Sequence, residues 1–431
     1  MKTPPTQLTA MESFTRQHPS VGTSKFRESK KMNVLHVIPS VSPRAGGPSQ
    51  AILPMCLALR EQGVNVLVAV TDDGLSGKNG PVHLQYGDIS DYKGQPTIFF
   101  PSQIGASFKY SRPFAEWLVN NVANYDLVHI HAVFNHACLA AAHACRKRRV
   151  PYIVRPLGTL DPWGMKQKSW RKSLFWPLIG KRMLRHAAAV HYTSRQEQQA
   201  TEESLGLNHG TVIPLGVASK VGGPTSAGAE FVERFPSLQQ RPFVLVLSRL
   251  IPTKGLHVLL SAFLALIKQK QFNSWQLVLA GEGPPDYLSE LRQKVASEGA
   301  EESVLFPGWL DGEMKEAILR RASLLALPSY HENFGLCVME ALACGVPVLV
   351  SPNVNLAPEI EAVSAGWISE IDHESMTRKL AEIFGSAEER SLRGAAGRNL
   401  AAKFSWDKIA DQLIAVYTSL LPASDSNASP V

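Results

Sequence analysis

Short runs of almost purely apolar residues, each closed by a Pro- or Gly-containing loop and followed by a helix-periodic stretch, constrain this chain more than any other feature. One set starts at Asn33, where "NVLHVIPSVSPRAGG" leads into "PSQAILPMCLALREQG". Another starts at Phe243, where "FVLVLSRLIPTKG" leads into "LHVLLSAFLALIKQ". Further strand-like runs recur at intervals suited to helical crossovers. They are "VNVLVAV", "LVHIH", "YIVR" and "AAVHYTS" in the first half, and "QLVLAG", "VLFPG", "LLALP" and "PVLVS" in the second. A strand that is apolar on both faces belongs in a parallel sheet covered by helices on both sides. The expected fold class is therefore α/β, with two Rossmann-like parallel-sheet domains facing across a cleft. Ligands in such sheets bind beyond the carboxyl ends of the strands, so function is sought in the loops that border the cleft.

A chain of 431 residues exceeds one ordinary core, and the composition marks out its parts. Residues 1–32 read as a basic, disordered tail, with Met32 as an alternative start; 33–215 form the first domain and 216–404 the second. The Gly/Ser-rich "GVASKVGGPTSAGAE" suits a linker, and 422–431 read as a disordered end. With 45% hydrophobic and 19% charged residues, the composition is that of a soluble globular protein. No run approaches the ~18 apolar residues of a membrane span, and the first residues lack the apolar core of a signal peptide. Five cysteines without C-x-x-C spacing fit reduced thiols, so a cytoplasmic protein is expected. In "HIHAVFNHACLAAAHAC", His129, His131, His136 and His143 raise the question of a metal, but their spacings match no zinc pattern, and no metal is expected.

The net charge of +7 is unevenly spread: residues 33–215 carry +8 and residues 216–431 carry −5. Between Ala144 and His186 there are 12 Lys and Arg against one acidic residue, Asp161, with Trp163, Trp170, Phe175 and Trp176 interleaved. Basic residues with aromatics suit docking to an anionic membrane surface. A solvated helix is the plain alternative; nucleic acid is a third reading and is not expected as a partner.

Several loops that end strands carry polar groups toward the expected cleft. They hold Arg249 and Lys254, then Gly281, Glu282 and Gly283, then Glu332, and from the first half Gly46, Gly47 and His131. Two cations beside a helix N-terminus suggest a site for phosphate or diphosphate. There is no G-x-x-x-x-G-K-[ST] loop and no D-x-D pair, which counts against a nucleotide triphosphatase and against a metal-bridged diphosphate. The stretch "HENFGLCVMEALACGVPVLV" places Glu332 and Glu340 in otherwise apolar surroundings. A buried carboxylate needs a partner, which is either a nearby lysine or amide, or a ligand. Backbone amides near Phe334, Gly335 and Leu336 would point at the ligand's negative centre.

"ENFGLCVME" followed by "ALACGVPV", with "SRLIPTKG" and "GEGP" upstream, resembles the family-4 retaining glycosyltransferases of the GT-B fold from Asn33 to about Leu421. "RPLGTLDPW" and the basic stretch after it look most like bacterial exopolysaccharide transferases of the hormogonium-polysaccharide type. The resemblance implies that Glu340 binds the ribose hydroxyls of a UDP- or GDP-sugar donor and that Glu332 contacts the transferred sugar. It implies that Arg249 and Lys254 hold the diphosphate, that His131 reaches the sugar from the first domain, and that Gly46 and Gly47 leave room beside the diphosphate. The region around Glu282 would hold the base. No cofactor is implied, since the nucleotide-sugar is a co-substrate, and no nucleophile is assigned. The acceptor would be a glycan or lipid-linked glycan at the inner face of the plasma membrane, with Arg155 and Asp161 as acceptor contacts. The final helix, 405–421, is expected to cross back onto the first domain. In place of the family's frequent "PNGVD" stands "PLGVA", with Leu215 and Ala218 at the changed positions. An epimerase or sugar phosphorylase on a similar cleft, and a non-catalytic nucleotide-sugar-binding protein, are the alternatives.

Overall fold

The computed structural model describes residues 31–73, 75, 84–103, 108–160, 180–218, 230–231, 233–310 and 312–422. Asp161, Trp163, Trp170, Phe175 and Trp176, most of the linker and nearly all of both tails lie outside the described residues.

The first sheet has eight strands: β1 (Asn33–Ile38), β2 (Asn65–Thr71), β3 (Ile89–Tyr92), β4 (Gln95–Phe100), β5 (Leu127–His131), β6 (Tyr152–Arg155), β7 (Ala189–Tyr192) and β8 (Gly210–Val212), in the order β3-β4-β2-β1-β5-β6-β7-β8. It is parallel except at one edge, where β3 pairs antiparallel with β4. That hairpin turns on Lys93 and Gly94, at φ 55° and 81°. Positive φ at both turn residues matches the twist of the flanking strands. The second sheet has six strands: β9 (Phe243–Leu247), β10 (Gln276–Ala280), β11 (Val304–Gly308), β12 (Leu324–Leu327), β13 (Val348–Val350) and β14 (Gly366–Ile368), in the order β11-β10-β9-β12-β13-β14. It is parallel throughout.

In each sheet the chain starts at the centre, moves to one side and then returns to the other. The order reverses at β1/β5 and at β9/β12, and crevices open at those two points. Alternation along each strand divides the core. Val34, Ile38 and Leu127 face a core shared with Leu245 and Leu327 of the second sheet and Met339 of the helix Leu336–Ala343, while Leu35, Val37 and Ile130 face a separate one. The helix Gly47–Glu61 and the C-terminal helix Trp406–Leu420 pack together over the shared side, burying Met55, Ile409, Leu413 and Tyr417. The C-terminal helix thus returns from the second half to the first. Its Trp406 leaves no room at the interdomain crossing, where a Cβ on Gly216 would lie 2.3 Å from the indole.

Candidate active site

The crevice of the second sheet opens between the loops that follow β9 and β12. The first of these carries Arg249, exposed, and Lys254. The second carries Glu332, and the two loops meet where Lys254 Nζ donates to Glu332 Oε2. Glu332 is also strapped from behind. Its N–H donates to Asn353 O at 3.1 Å, and its carbonyl accepts from Asn355 N–H at 3.0 Å. Phe334 then enters the core, and Gly335, at φ 77°, caps the helix Leu336–Ala343 in a left-handed conformation that a side chain would strain. The first amides of that helix, like those at any helix start, have no partner within it.

Glu340 lies one turn into the helix. Its Oε1 accepts from Lys315 Nζ at 2.7 Å, and the same ammonium donates at 3.2 Å to Oε1 of Gln50, from the helix Gly47–Glu61 across the cleft. The two carboxylates therefore each have a lysine. Neither is sealed, since their side chains are 21% and 23% exposed. A cavity of about 300 Å³ adjoins Glu340, lined also by Lys315, Gln50, Pro54, Gly216 and Trp406. Cys337, beside both carboxylates, is no nucleophile: burial first, then the neighbouring Glu332 and Glu340, push its thiol up to about 12.

The loop after β10 reads differently in three dimensions. A Cβ on Gly281 or Gly283 would lie 1.9 Å from Ser248 O or Leu250 O, so these glycines let two loops of the same half stack. Glu282 faces Arg44 of the first half at 3.5 Å, both side chains more than half exposed. Gly46 and Gly47, at the start of the helix Gly47–Glu61, have no atom within 4 Å of an added Cβ and leave open space beside the cleft.

His131 and Arg155 lie deeper than the loops that border the crevice. Both are fully buried. They belong to a polar strip on one face of four adjacent strands: His36 on β1, His129 and His131 on β5, Arg155 on β6 and His191 on β7. His36 Nδ1 and His131 Nε2 share a hydrogen bond of 2.9 Å. His191 Nε2 donates to Ile213 O at 2.7 Å, which leaves its Nδ1 to accept from His129 Nε2 at 3.2 Å. His129 Nδ1 must then accept from the Tyr417 hydroxyl at 2.7 Å, so one direction of bonding fixes every proton in the chain. Burial, with the charge of Arg155 next, lowers His36 and His191 to about 3. Burial and the neighbouring rings hold His129 and His131 well below the ordinary histidine range. Burial draws Arg155 down to about 10, still a cation at neutral pH, and none of its three guanidinium nitrogens has a partner among the described residues. Ring nitrogens of His36, His129 and His131 lie within 4.8 Å of one another, but both nitrogens of His129 are engaged in the bonded chain. The trio is therefore better explained by hydrogen bonding than by a metal. His136 and His143 lie apart from it, on the helix His136–Arg148.

Sequence reasoning passed over Lys315, Gln50, His36, His191 and Tyr417. The histidines had a signal: polar residues at alternate positions in "VLHVI", "LVHIH" and "AVHY" put them on one face of their strands. Lys315 and Gln50 had none, being ordinary exposed-type residues on amphipathic helices.

Two Rossmann-like halves, each with a crevice at the switch point of its sheet, are the architecture of the GT-B fold. Comparison with known proteins agrees. The family described as "Glycosyl transferases group 1" matches residues 229–400, and the "Glycosyl transferase 4-like domain" matches residues 46–216. The chain belongs to these glycosyltransferases. It is 29% identical over 224 residues to a D-inositol 3-phosphate glycosyltransferase of Salinispora arenicola, covering 50% of each chain. It is also 29% identical over 220 residues to the serotype-specific mannosyltransferase WbdA of Escherichia coli, covering 49% of this chain and 26% of that one. The chain spans about half the length, or less, of the curated relatives it matches. Among solved structures, Anabaena HepE in complex with UDP and glucose matches with a TM-score of 0.70 at 20% identity, over 90% of this chain and 100% of that one. Sucrose-phosphate synthase from Thermosynechococcus elongatus matches with a TM-score of 0.70 at 22% identity, over 90% and 99%. These likenesses establish the fold.

Proposed function

We propose that this protein transfers a sugar, with retention of anomeric configuration and without a metal, from a UDP- or GDP-sugar to a glycan or lipid-linked glycan in surface polysaccharide biosynthesis. The observation that carries the reading is the convergence of Lys254–Glu332, Lys315–Glu340 and Arg249 on one crevice. The fold-level neighbour HepE was crystallised with UDP and with UDP-glucose, which supports a nucleotide donor. The half 216–404 would hold the donor and the half 33–215 the acceptor. Glu340 would release Lys315 to accept bonds from two ribose hydroxyls. Arg249 and Lys254 would lie against the diphosphate. As the bond from the sugar's anomeric carbon to phosphate oxygen breaks, the electron pair leaves with the diphosphate, and fixed cations stabilise the charge it gains. The acceptor hydroxyl attacks from the same face and passes its proton to the departing phosphate oxygen. Glu332 would fix the sugar through its hydroxyls.

Thermal unfolding with UDP, GDP, ADP, NAD and their sugar conjugates tests the donor class. Binding to the folded protein at ~100 times Kd should add about 2.7 kcal/mol, a visible shift. A response to UDP or GDP is expected; a response to NAD alone, or to none of them, would overturn the reading.

We infer a cytoplasmic enzyme that docks on the inner membrane face through its first half. Support comes from an open basin of about 610 Å³, where His143, Arg146, Lys147, Arg149 and His186 surround an apolar floor that includes Leu420. Arg149 holds φ 59° at the end of the helix His136–Arg148, a left-handed position where glycine is the usual choice. Flotation with vesicles rich in phosphatidylglycerol should carry the protein upward at low salt, and phosphatidylcholine vesicles should not. Equal behaviour with both would exclude this docking.

A further inference from the structure

The segment that bears Glu332 is bonded to the first half at two points, and both points lie at the start of one helix. Asn333 Nδ2 donates to Thr193 Oγ1 at 2.9 Å, and Asn355 Nδ2 donates to Ser194 Oγ at 3.0 Å. Thr193 and Ser194 follow β7, and Ser194 caps the helix Arg195–Leu205, its Oγ also accepting from Glu197 N–H at 3.1 Å. Asn333 follows Glu332 directly. Asn355 is the residue whose N–H holds the Glu332 carbonyl, so Glu332 is clasped between two residues that both reach across.

The receiving side is itself built around a buried carboxylate. Glu197 accepts from Thr193 N–H at 2.8 Å and from the Thr193 hydroxyl at 2.9 Å, and its other oxygen accepts from Gly158 N–H at 2.6 Å. The Thr193 hydroxyl donates to Glu197 while accepting from Asn333, which makes a continuous donor-to-acceptor line ending on a charge. Bonds in such a line polarise one another, and those to a carboxylate are the stronger kind. The loop after β6 yields to this contact. A Cβ on Gly158, at φ 69°, would lie 2.7 Å from Asn333 Cβ, so any larger residue would drive the two halves apart here.

On the reading that Glu332 contacts the transferred sugar, we propose that Asn333 and Asn355 are positioning residues, forming with Thr193 and Ser194 a latch that sets Glu332 against the first half and holds the cleft closed for transfer. Neither asparagine needs to touch the nucleotide. The latch acts on the geometry of Glu332 relative to an acceptor held by the other half, and small misplacements of reacting groups are costly in rate.

Three variants separate this from a merely structural role: the double substitution Asn333→Ala/Asn355→Ala, Thr193→Val, which removes the hydroxyl at constant shape, and Gly158→Ala, which wedges from the other side. Thr193→Ser is the conservative control that keeps the bonds. Small-angle X-ray scattering should show a larger radius of gyration for the first three and an unchanged one for Thr193→Ser. With the nucleotide that stabilises the wild type, Kd should stay within about threefold, while kcat falls on the order of 10- to 100-fold and is restored in Thr193→Ser. Unchanged scattering and kcat would overturn the latch. A loss of nucleotide affinity matching the loss of kcat would overturn it too, by placing the asparagines in the donor site. If the wild type binds no nucleotide, the proposed function fails, and the scattering comparison still decides whether the latch closes the cleft.

Discussion

Lowering the pH from 7.5 to 5.5 is expected to remove about 5 kcal/mol of folding stability, far more than carboxylate titration alone would take in that range. The cause is the strip formed by His36, His129, His131 and His191, all fully buried. Each is neutral in the folded protein, and His36 and His191 are lowered to about 3. Each titrates near 6.5 once unfolded. Below 6.5 the unfolded chain binds protons that the folded one refuses, so stability is full above 6.5 and falls steadily toward 3. Four such sites give a slope approaching 5 kcal/mol per pH unit. Domains commonly hold about 5–15 kcal/mol in total, so unfolding is expected between about pH 5.5 and 4. Glu197 works in the opposite sense, because burial raises its carboxyl and the folded state is relieved when it protonates. One such group does not offset four. Urea unfolding at pH 5.0–8.0 gives the proton uptake directly from the slope. An uptake near four between pH 6 and 5 is expected; an uptake of one or none would mean that these rings open to solvent.

Lys254→Ala is expected to cut kcat by on the order of 10²–10³, the usual consequence of removing a fixed charge from a developing anion. Glu340→Gln is expected to act elsewhere. On the role proposed for Glu340 it weakens charge-assisted bonds to the ribose worth about 1.5–3 kcal/mol, so donor KM should rise roughly 10- to 100-fold with kcat little changed. The contrast is informative because the two residues sit in one crevice. Lys254 meets Glu332, whereas Glu340 meets Lys315 and the cavity beside it. In Glu340→Gln, Lys315 keeps Gln50 as a partner, so a folding defect is not expected to obscure the kinetics. Steady-state rates with the donor named by the thermal panel give both numbers. If Lys254→Ala raised donor KM and spared kcat, leaving-group stabilisation would be the wrong role for it.

The placement of the site in these loops was legible because it derives from the strands. Runs such as "FVLVL" and "LLALP" can be buried on both faces only in a parallel sheet, and the loops beyond their carboxyl ends must border the crevice. Arg249, Lys254 and Glu332 lie where that argument put them. The β3–β4 hairpin was missed, because "ISDYKGQPTIFF" mixes polar and apolar residues and its Lys93–Gly94 turn lacks the usual Asn-Gly or Asp-Gly. The burial of His131 was not legible either. Its ring lies on the face of β5 that also carries Leu127, and His36, two positions from the end of β1, is there to meet it.

By itself the sequence determined the two α/β halves, the strands and most of the loops that carry charge, because hydrophobic periodicity acts within a few residues of itself. Tertiary structure alone decided the pairings. Lys254 meets Glu332 across 78 residues and Asn333 meets Thr193 across 140, through a strand order that no local pattern encodes. Whether a buried polar residue serves a ligand, a neighbouring lysine or a chain of histidines depends on which strand lies beside its own. That is settled only when the sheet closes over its core.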